Sequence, residues 1–349
     1  MNRVLISVPN LPKDWLFDTE VRDAYYDPWI YLRERLQDLG YQLENFHNQS
    51  LSNCDWVLFF DSVSVRPYHG WRGKARRLKA SLTGKQPLRD LYGECLRSGM
   101  AQCMALFLWE GPSVSSSNWN RQLHNQFPVI FTWNDAFVDE QKYHKIYWPQ
   151  TRQFPSVPKV HFAQKKLLVN ISMNKHSRHS QELYSSRRST IRHFERALPD
   201  DFDLYGVGWN RPVGLVERAL PFLCRKYPSY RGTVRHKWDV LPYYRFSVCY
   251  ENLRDEPGYI TEKIFDSMRA GCVPIYWGAP NITDYVDEEA LIDRRKFKSD
   301  KELEAYIVGI SEKEYINYLE VIESYLASSR FAKFLPPAFA DTVIRVLGL

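Results

Sequence analysis

Short runs of this chain are apolar almost without interruption: RVLISVP (3–9), WVLFF (56–60), MALFLW (104–109), VIFTW (129–133), LLVNIS (167–172), RFSVCY (245–250) and VPIYW (273–277). A strand with one face in water alternates polar and apolar residues, so strands like these must be covered on both faces. The segments between them carry helical periodicity. WIYLRERLQDLG (29–40) stops at Gly40, and PLRDLYGECLRSG (87–99) has proline at its start and glycine at its end. QELYSSRRSTIRHFERAL (181–198) follows the first strand of the second half. Apolar strands alternating with amphipathic helices specify an α/β fold with parallel sheets covered on both sides.

At 349 residues the chain exceeds one ordinary core. Between the halves, WPQTRQFPSVPKVHFAQKK (148–166) has proline at 149, 155 and 158 and little periodicity, as a linker would. The expected organisation is an N-terminal Rossmann-like domain over 1–150, a linker over 151–166 and a second Rossmann-like domain over 167–335. A closing helix over 336–349 is expected to pack back on the first domain. Two doubly wound domains of this kind hold ligands in the cleft between them, at the carboxyl ends of the strands.

Composition narrows the function classes. Hydrophobic residues at 44% and charged residues at 25% exclude a disordered chain. Aromatic content of 15% is accounted for first by core packing. No run of about 18 apolar residues is present, so no transmembrane helix is expected. The start, MNRVLISVPN, is too short in its apolar part for a secretory signal and reads as a first strand. Cysteines 54, 95, 103, 224, 249 and 272 lack zinc-ligand spacing, and Cys249 and Cys272 sit in strand-like surroundings as buried thiols. These features point to the cytoplasm. The net charge of +6 is uneven: residues 66–79, RPYHGWRGKARRLK, contain six cations and no acid. That stretch is either a solvated basic loop or a peripheral contact with an anionic acceptor or the inner membrane face. Nucleic acid is not expected as a partner, because no binding motif accompanies it.

The polar residues at strand ends carry the chemistry. Glu251 and Asn252 close the RFSVCYEN strand, and Glu262 and Lys263 open the next helix. A helix N-terminus attracts anions, so a lysine there is unfavourable by a few tenths of a kcal/mol unless something negative lies close. A diphosphate ligand would satisfy it. Glu262 either accepts hydrogen bonds from sugar hydroxyls or complements the helix dipole. Glu110 ends the MALFLWE strand before Gly-Pro, as either a general base beside Trp109 or a strand-terminating surface acid. Asp201-Phe-Asp203 has a metal-holding pattern but lies at the wrong end of its strand, and the nine histidines show no ligand spacing, so no metal site is expected. Gly206-Val-Gly208 is too short to signify alone.

The stretch FSVCYENLRDEPGYITEKIFDSMRAGCVPIYWG closely resembles the donor-binding signature of the family 10 glycosyltransferases, the α-1,3/1,4-fucosyltransferases. YRGTVRHKWDVLPYYRFSVCYEN, NITDYV and LIDRRKF extend the likeness, and LFLWEGP with KYHKIYWPQ resembles the bacterial branch. The resemblance covers most of 104–310 and is strongest over 230–297. It implies a GT-B fold and transfer of L-fucose from GDP-fucose to a glycan hydroxyl, with inversion and without a required metal or cofactor. Lys263 would bind the diphosphate, Glu262 the ribose or fucose hydroxyls, and Asn252, Tyr259 and Glu251 would line the donor site. Arg187 or its neighbour Arg188 would pair with the diphosphate, Arg187 being favoured by its spacing to Ile191 and Phe194, and Asn174 would touch the donor. Glu110 matches the family's general base. The implied acceptor is an oligosaccharide or glycolipid, such as lipopolysaccharide or another surface glycan, with α-1,3 linkage to N-acetylglucosamine as the expected product. YENLRDEPG departs from the shorter segment of many relatives by adding Asp255 and Glu256 beside the anion site, and the 61–86 region is the expected acceptor-recognition element. Transfer of another GDP-sugar and non-catalytic nucleotide-sugar binding are the alternatives.

Overall fold

The structure is a computed structural model that describes residues 2–8, 15–46, 49–65, 74–75, 78–79, 81–82, 89–212, 219–220 and 226–349. Most of the basic 66–79 stretch and of the 61–86 region therefore lies outside the described residues. The chain divides into two compact units, Met1–Tyr147 with Pro336–Leu349, and Trp148–Leu335.

The first unit is built on strands β1 (Asn2–Ser7), β2 (Tyr41–Asn45), β3 (Cys54–Phe60), β4 (Met104–Leu108), β5 (Val129–Thr132) and β6 (Tyr143–Lys145). They form one sheet in the order β2-β1-β3-β4-β5-β6, with every pairing parallel. The chain runs outward in one direction from β1 to β2 and in the other from β3 to β6. The reversal leaves a crevice at the carboxyl ends of β1 and β3, the position where doubly wound folds place ligands. Every residue of β4 is buried, as its unbroken apolar sequence requires. Helix α1 (Asp27–Asp38) has proline in its first turn, and Gly40 beyond its end has φ 85°. Helix α2 (Leu91–Arg97) is capped by Asp90, whose side chain accepts from the Gly93 N–H.

The second unit repeats the plan. Strands β7 (Lys166–Ile171), β8 (Phe202–Tyr205), β9 (Tyr244–Tyr250), β10 (Val273–Trp277) and β11 (Ile292–Asp293) pair in parallel in the order β11-β10-β9-β7-β8. Its reversal falls between β7 and β9. Helix α3 (Tyr184–Ala197) follows β7, and α4 (Glu262–Arg269) links β9 to β10. Helices α5 (Asp300–Gly309) and α6 (Glu312–Leu326) come after β11, the latter opened by a capping box between Ser311 and Glu314.

Helix α7 (Pro336–Leu347) belongs to the first unit. Its Phe339 ring meets Trp29 at 5.0 Å and Trp109 at 6.5 Å, both edge-on, and Trp56 Nε1 donates to the Leu347 carbonyl at 3.0 Å. Edge-on aromatic packing adds to the area these rings bury, so this last helix completes the aromatic core under β4. Among the described residues no helix is long and apolar enough to cross a membrane.

Candidate functional site

The second unit gathers its polar residues at the β7/β9 reversal. Glu251 follows β9, and its carboxylate has no exposed surface. It accepts from the Thr261 N–H (2.8 Å), the Thr261 hydroxyl (2.8 and 3.0 Å) and Lys263 Nζ (2.9 Å). Thr261 occupies the N-cap of α4 yet makes no side-chain capping bond, because its hydroxyl donates to Glu251 and accepts from Lys263 Nζ at 2.8 Å. The first turn of α4 is thereby drawn to the end of β9, with Lys263 held in place.

Lys263 thus has its negative partner within the protein. Burial works against its ammonium, but the Glu251 and Glu262 carboxylates hold its pKa above the ordinary lysine value. Sequence spacing assigned that compensation to a diphosphate. Glu251, read from the sequence as a donor contact, is instead the buried counter-ion that orients Lys263. Position at a strand end gives the place of a side chain but not whether it points inward. Lys263 keeps 21% side-chain exposure, so one side remains open to a ligand.

Lys237 was not recognised from the sequence. It donates to Asp266 (2.6 Å) and Glu262 (3.4 Å), bridging two acids one turn apart on α4. Burial acts to raise the Glu262 pKa, but Lys263 and Lys237 pull it down to about 2. Arg187, on α3, is 3% exposed and sends Nη2 to the carbonyls of Tyr250 (2.5 Å) and Glu251 (3.0 Å). Burial lowers its pKa. Arg187, Lys237 and Lys263 line one small cavity with Ser172 and Ser267, so three cations, two of them paired with the carboxylates of Glu251, Glu262 and Asp266, meet where β7 and β9 end.

The other expected donor contacts fall elsewhere. Arg188 donates to the Lys175 carbonyl at 2.6 Å and, with Asn174, His176 and Arg192, lines a wider cavity of about 790 Å³ along α3. Tyr259, expected to line the donor pocket, is 1% exposed and packs edge-on against Trp148 at 6.1 Å. Its hydroxyl takes a hydrogen bond from Asn252 Nδ2 at 3.3 Å, so it supports Asn252 from behind. Asn174 binds the glycine loop, with its N–H on the Val207 carbonyl (2.9 Å) and Nδ2 on the Gly208 carbonyl (3.2 Å). Gly206 has φ 124°, and a Cβ there would lie 2.0 Å from the Ser172 carbonyl oxygen, so the two loops approach to a distance glycine alone permits. Asp203 is taken by Lys166 (2.8 Å), Arg231 (2.6 Å) and the Tyr244 hydroxyl (2.7 Å). Among the described residues no group of three or more His, Cys, Asp or Glu side chains is placed to hold a metal ion.

Residues 165–334 match the model of the glycosyltransferase family 10 (fucosyltransferase) C-terminal domain. This part of the chain is a family 10 domain. It contains every expected donor contact and both cavities just described. An α-(1,4)-fucosyltransferase of Arabidopsis thaliana is 30% identical over 151 residues, 41% of this chain and 37% of that protein. The α-(1,3)-fucosyltransferase FucT of Helicobacter pylori is 35% identical over 74 residues, 21% of this chain and 15% of that protein. The chain thus spans well under half the length of these curated relatives. Among solved structures, an α1,3-fucosyltransferase superposes with a TM-score of 0.57 at 13% identity, covering 100% of this chain and 90% of that one. A DNA-modifying β-glucosyltransferase superposes with a TM-score of 0.56 at 10% identity, covering both chains fully. At such identities the likeness is one of fold, and the fold is GT-B.

Outside the family 10 domain, the first unit places Glu110 just beyond β4, half-buried. Its carbonyl accepts from Asn118 Nδ2 and Trp119 Nε1, both at 3.1 Å, so its backbone is fixed by two consecutive side chains of the following loop.

Proposed function

We propose that this protein transfers L-fucose from GDP-fucose to a hydroxyl group of a glycan acceptor, with inversion and without a metal. The observation that carries this reading is the convergence of Arg187, Lys237 and Lys263 at the strand reversal of a family 10 domain. A leaving GDP carries its developing charge on the diphosphate, and preorganised cations supply the stabilisation a divalent metal would otherwise give. Glu262, ionised down to about pH 2, accepts hydrogen bonds from ribose or fucose hydroxyls. Asn252, Asn174 and Arg188 are assigned to the rest of the donor, with Tyr259 and Glu251 behind them.

In the reaction the acceptor O–H loses its proton to the Glu110 carboxylate while its oxygen forms a bond to fucosyl C1. The bond from C1 to the diphosphate oxygen breaks on the opposite face, and the electron pair leaves with GDP. One displacement inverts the anomeric centre. The proposed acceptor is an N-acetylglucosamine-containing surface glycan, fucosylated at O3.

The test is GDP release from a panel of GDP-sugars, with N-acetyllactosamine and lipopolysaccharide oligosaccharides as acceptors. Turnover of GDP-fucose above the other donors is expected, and turnover of GDP-mannose without GDP-fucose would overturn the donor assignment. Glu110→Gln should lower kcat by about 10²- to 10⁴-fold, as loss of a general base does, with donor affinity kept.

A further inference from the structure

Asp61 lies at the carboxyl end of β3, in the reversal crevice of the first unit, and is 4% exposed. Its φ of 59° is left-handed, a conformation that a non-glycine residue adopts at a cost. That twist carries its carboxyl group sideways to the neighbouring strand end. Oδ1 accepts from the Trp109 N–H (2.7 Å) and from Asn118 Nδ2 (2.7 Å), and the Glu110 N–H reaches both oxygens at 3.3 and 3.4 Å. Asn118 closes the ring: its Nδ2 also donates to the Glu110 carbonyl (3.1 Å), and its Oδ1 accepts from the Ser62 N–H (2.9 Å). The backbone of Glu110 is therefore held on its N–H side by Asp61 and on its carbonyl side by Asn118.

We infer that Asp61 is a positioning residue for Glu110, fixing the turn from which that carboxylate works. The inference rests on the proposed role of Glu110 as base. Among the described residues, the groups packed on Asp61 and its ring of hydrogen bonds from the adjoining segments are Trp109, Asn118, Ser62 and Ser64, all neutral, and Glu110 is the charged group acting on it. Burial first, and then the nearness of Glu110, push the Asp61 pKa up to about 8, so near neutrality it is a neutral acid. Above that pH it becomes a second carboxylate beside the base. Repulsion between the two is relieved when Glu110 takes the acceptor proton, so ionised Asp61 makes Glu110 the stronger base.

The test uses the full chain and GDP release from GDP-fucose, with N-acetyllactosamine or water as acceptor. Asp61→Gly removes the carboxyl group while easing the left-handed backbone, and Asp61→Asn keeps the shape and an accepting oxygen without the titration. Asp61→Gly should lower kcat at least about tenfold at unchanged donor KM, since a misplaced catalytic group costs up to about 10²-fold. Asp61→Asn should stay within about threefold of wild type at pH 7. The wild type should gain rate through an alkaline limb near pH 8 that Asp61→Asn lacks. A wild-type kcat in Asp61→Gly overturns the inference, as does, even if Asp61→Gly fails to fold, a tenfold or greater loss of kcat at pH 7 in Asp61→Asn, which keeps the accepting oxygen. Superimposable pH profiles for wild type and Asp61→Asn overturn the coupling between the two carboxylates. Full activity of Glu110→Gln would instead refute the base assignment itself, so the two failures are separable.

Discussion

Replacing Glu251 by glutamine removes one charge and almost no volume from the end of β9. In the wild type that carboxylate, wholly buried, is 2.9 Å from Lys263 Nζ and takes the N–H and hydroxyl of Thr261. The glutamine amide still offers one acceptor to Thr261 but turns a donor toward the ammonium. Breaking a buried pair costs about 3–5 kcal/mol because the surviving charge is left uncompensated. Lys263 keeps 21% exposure and has Glu262 at 3.9 Å, which moderates the penalty, so about 2–4 kcal/mol is expected. For a unit of this size that corresponds to a fall in Tm of roughly 5–12 °C. Differential scanning fluorimetry, repeated with saturating GDP, measures it. The double variant Glu251→Gln with Lys263→Met removes the stranded charge and should recover at least half of the loss, while showing no stabilisation by GDP. Additivity of the two single changes, or a loss below about 1 kcal/mol for Glu251→Gln, would refute the view that Glu251 is the counter-ion of Lys263.

Further outcomes follow from neighbouring contacts. Lys237→Met removes the bridge between Glu262 and Asp266 and should weaken GDP binding by about 10- to 100-fold, the range of a lost hydrogen bond to a charged group; an unchanged calorimetric Kd would remove Lys237 from the site. Gly206→Ala places a methyl 2.0 Å from a backbone oxygen at a left-handed φ and should cost about 3 kcal/mol or more in urea unfolding; a neutral effect would contradict the close approach of the two loops. Asp61 binds its proton more tightly folded, at about pH 8, than its ordinary value of 3.8, so its contribution to stability is complete below about pH 4 and is lost as pH rises to 8. Relative to Asp61→Asn, the wild type should therefore lose up to about 1.4 kcal/mol per pH unit across that window, and parallel stability curves for the two would refute the elevated pKa.

Most strands legible in the sequence are those buried on both faces. β3, β4, β7, β9 and β10 lie inside their sheets, and there covering helices demand apolar residues throughout. Of the four outer strands among the described residues, β8 is legible as FDLY, with three of its four residues buried, whereas β2, β6 and β11 escaped notice: YQLEN has Leu43 alone buried, and β11 is two residues long. The site divides in the same way. Glu262, Lys263 and Glu110 stand out because strand ends and helix starts are visible as local patterns. Lys237 and Asp61 do not, since their importance lies in partners 29 and 48 residues away that pairing of strands brings near. The inward turn of Glu251 is hidden for a related reason, because a carboxylate at a strand end reads the same whether it faces a ligand or a lysine.

Helix α7 gives the molecule an order of assembly. During synthesis the six strands of the first unit emerge early, but the surface of Trp29, Phe107 and Trp109 stays uncovered until Phe339 has been made, after the whole second unit. The second unit, continuous from Trp148 to Leu335, can close on itself on the ribosome while the first waits with an open aromatic face. A nascent chain arrested before residue 336 would be the form most in need of a chaperone, and residues 1–147 expressed alone would inherit the same exposed face.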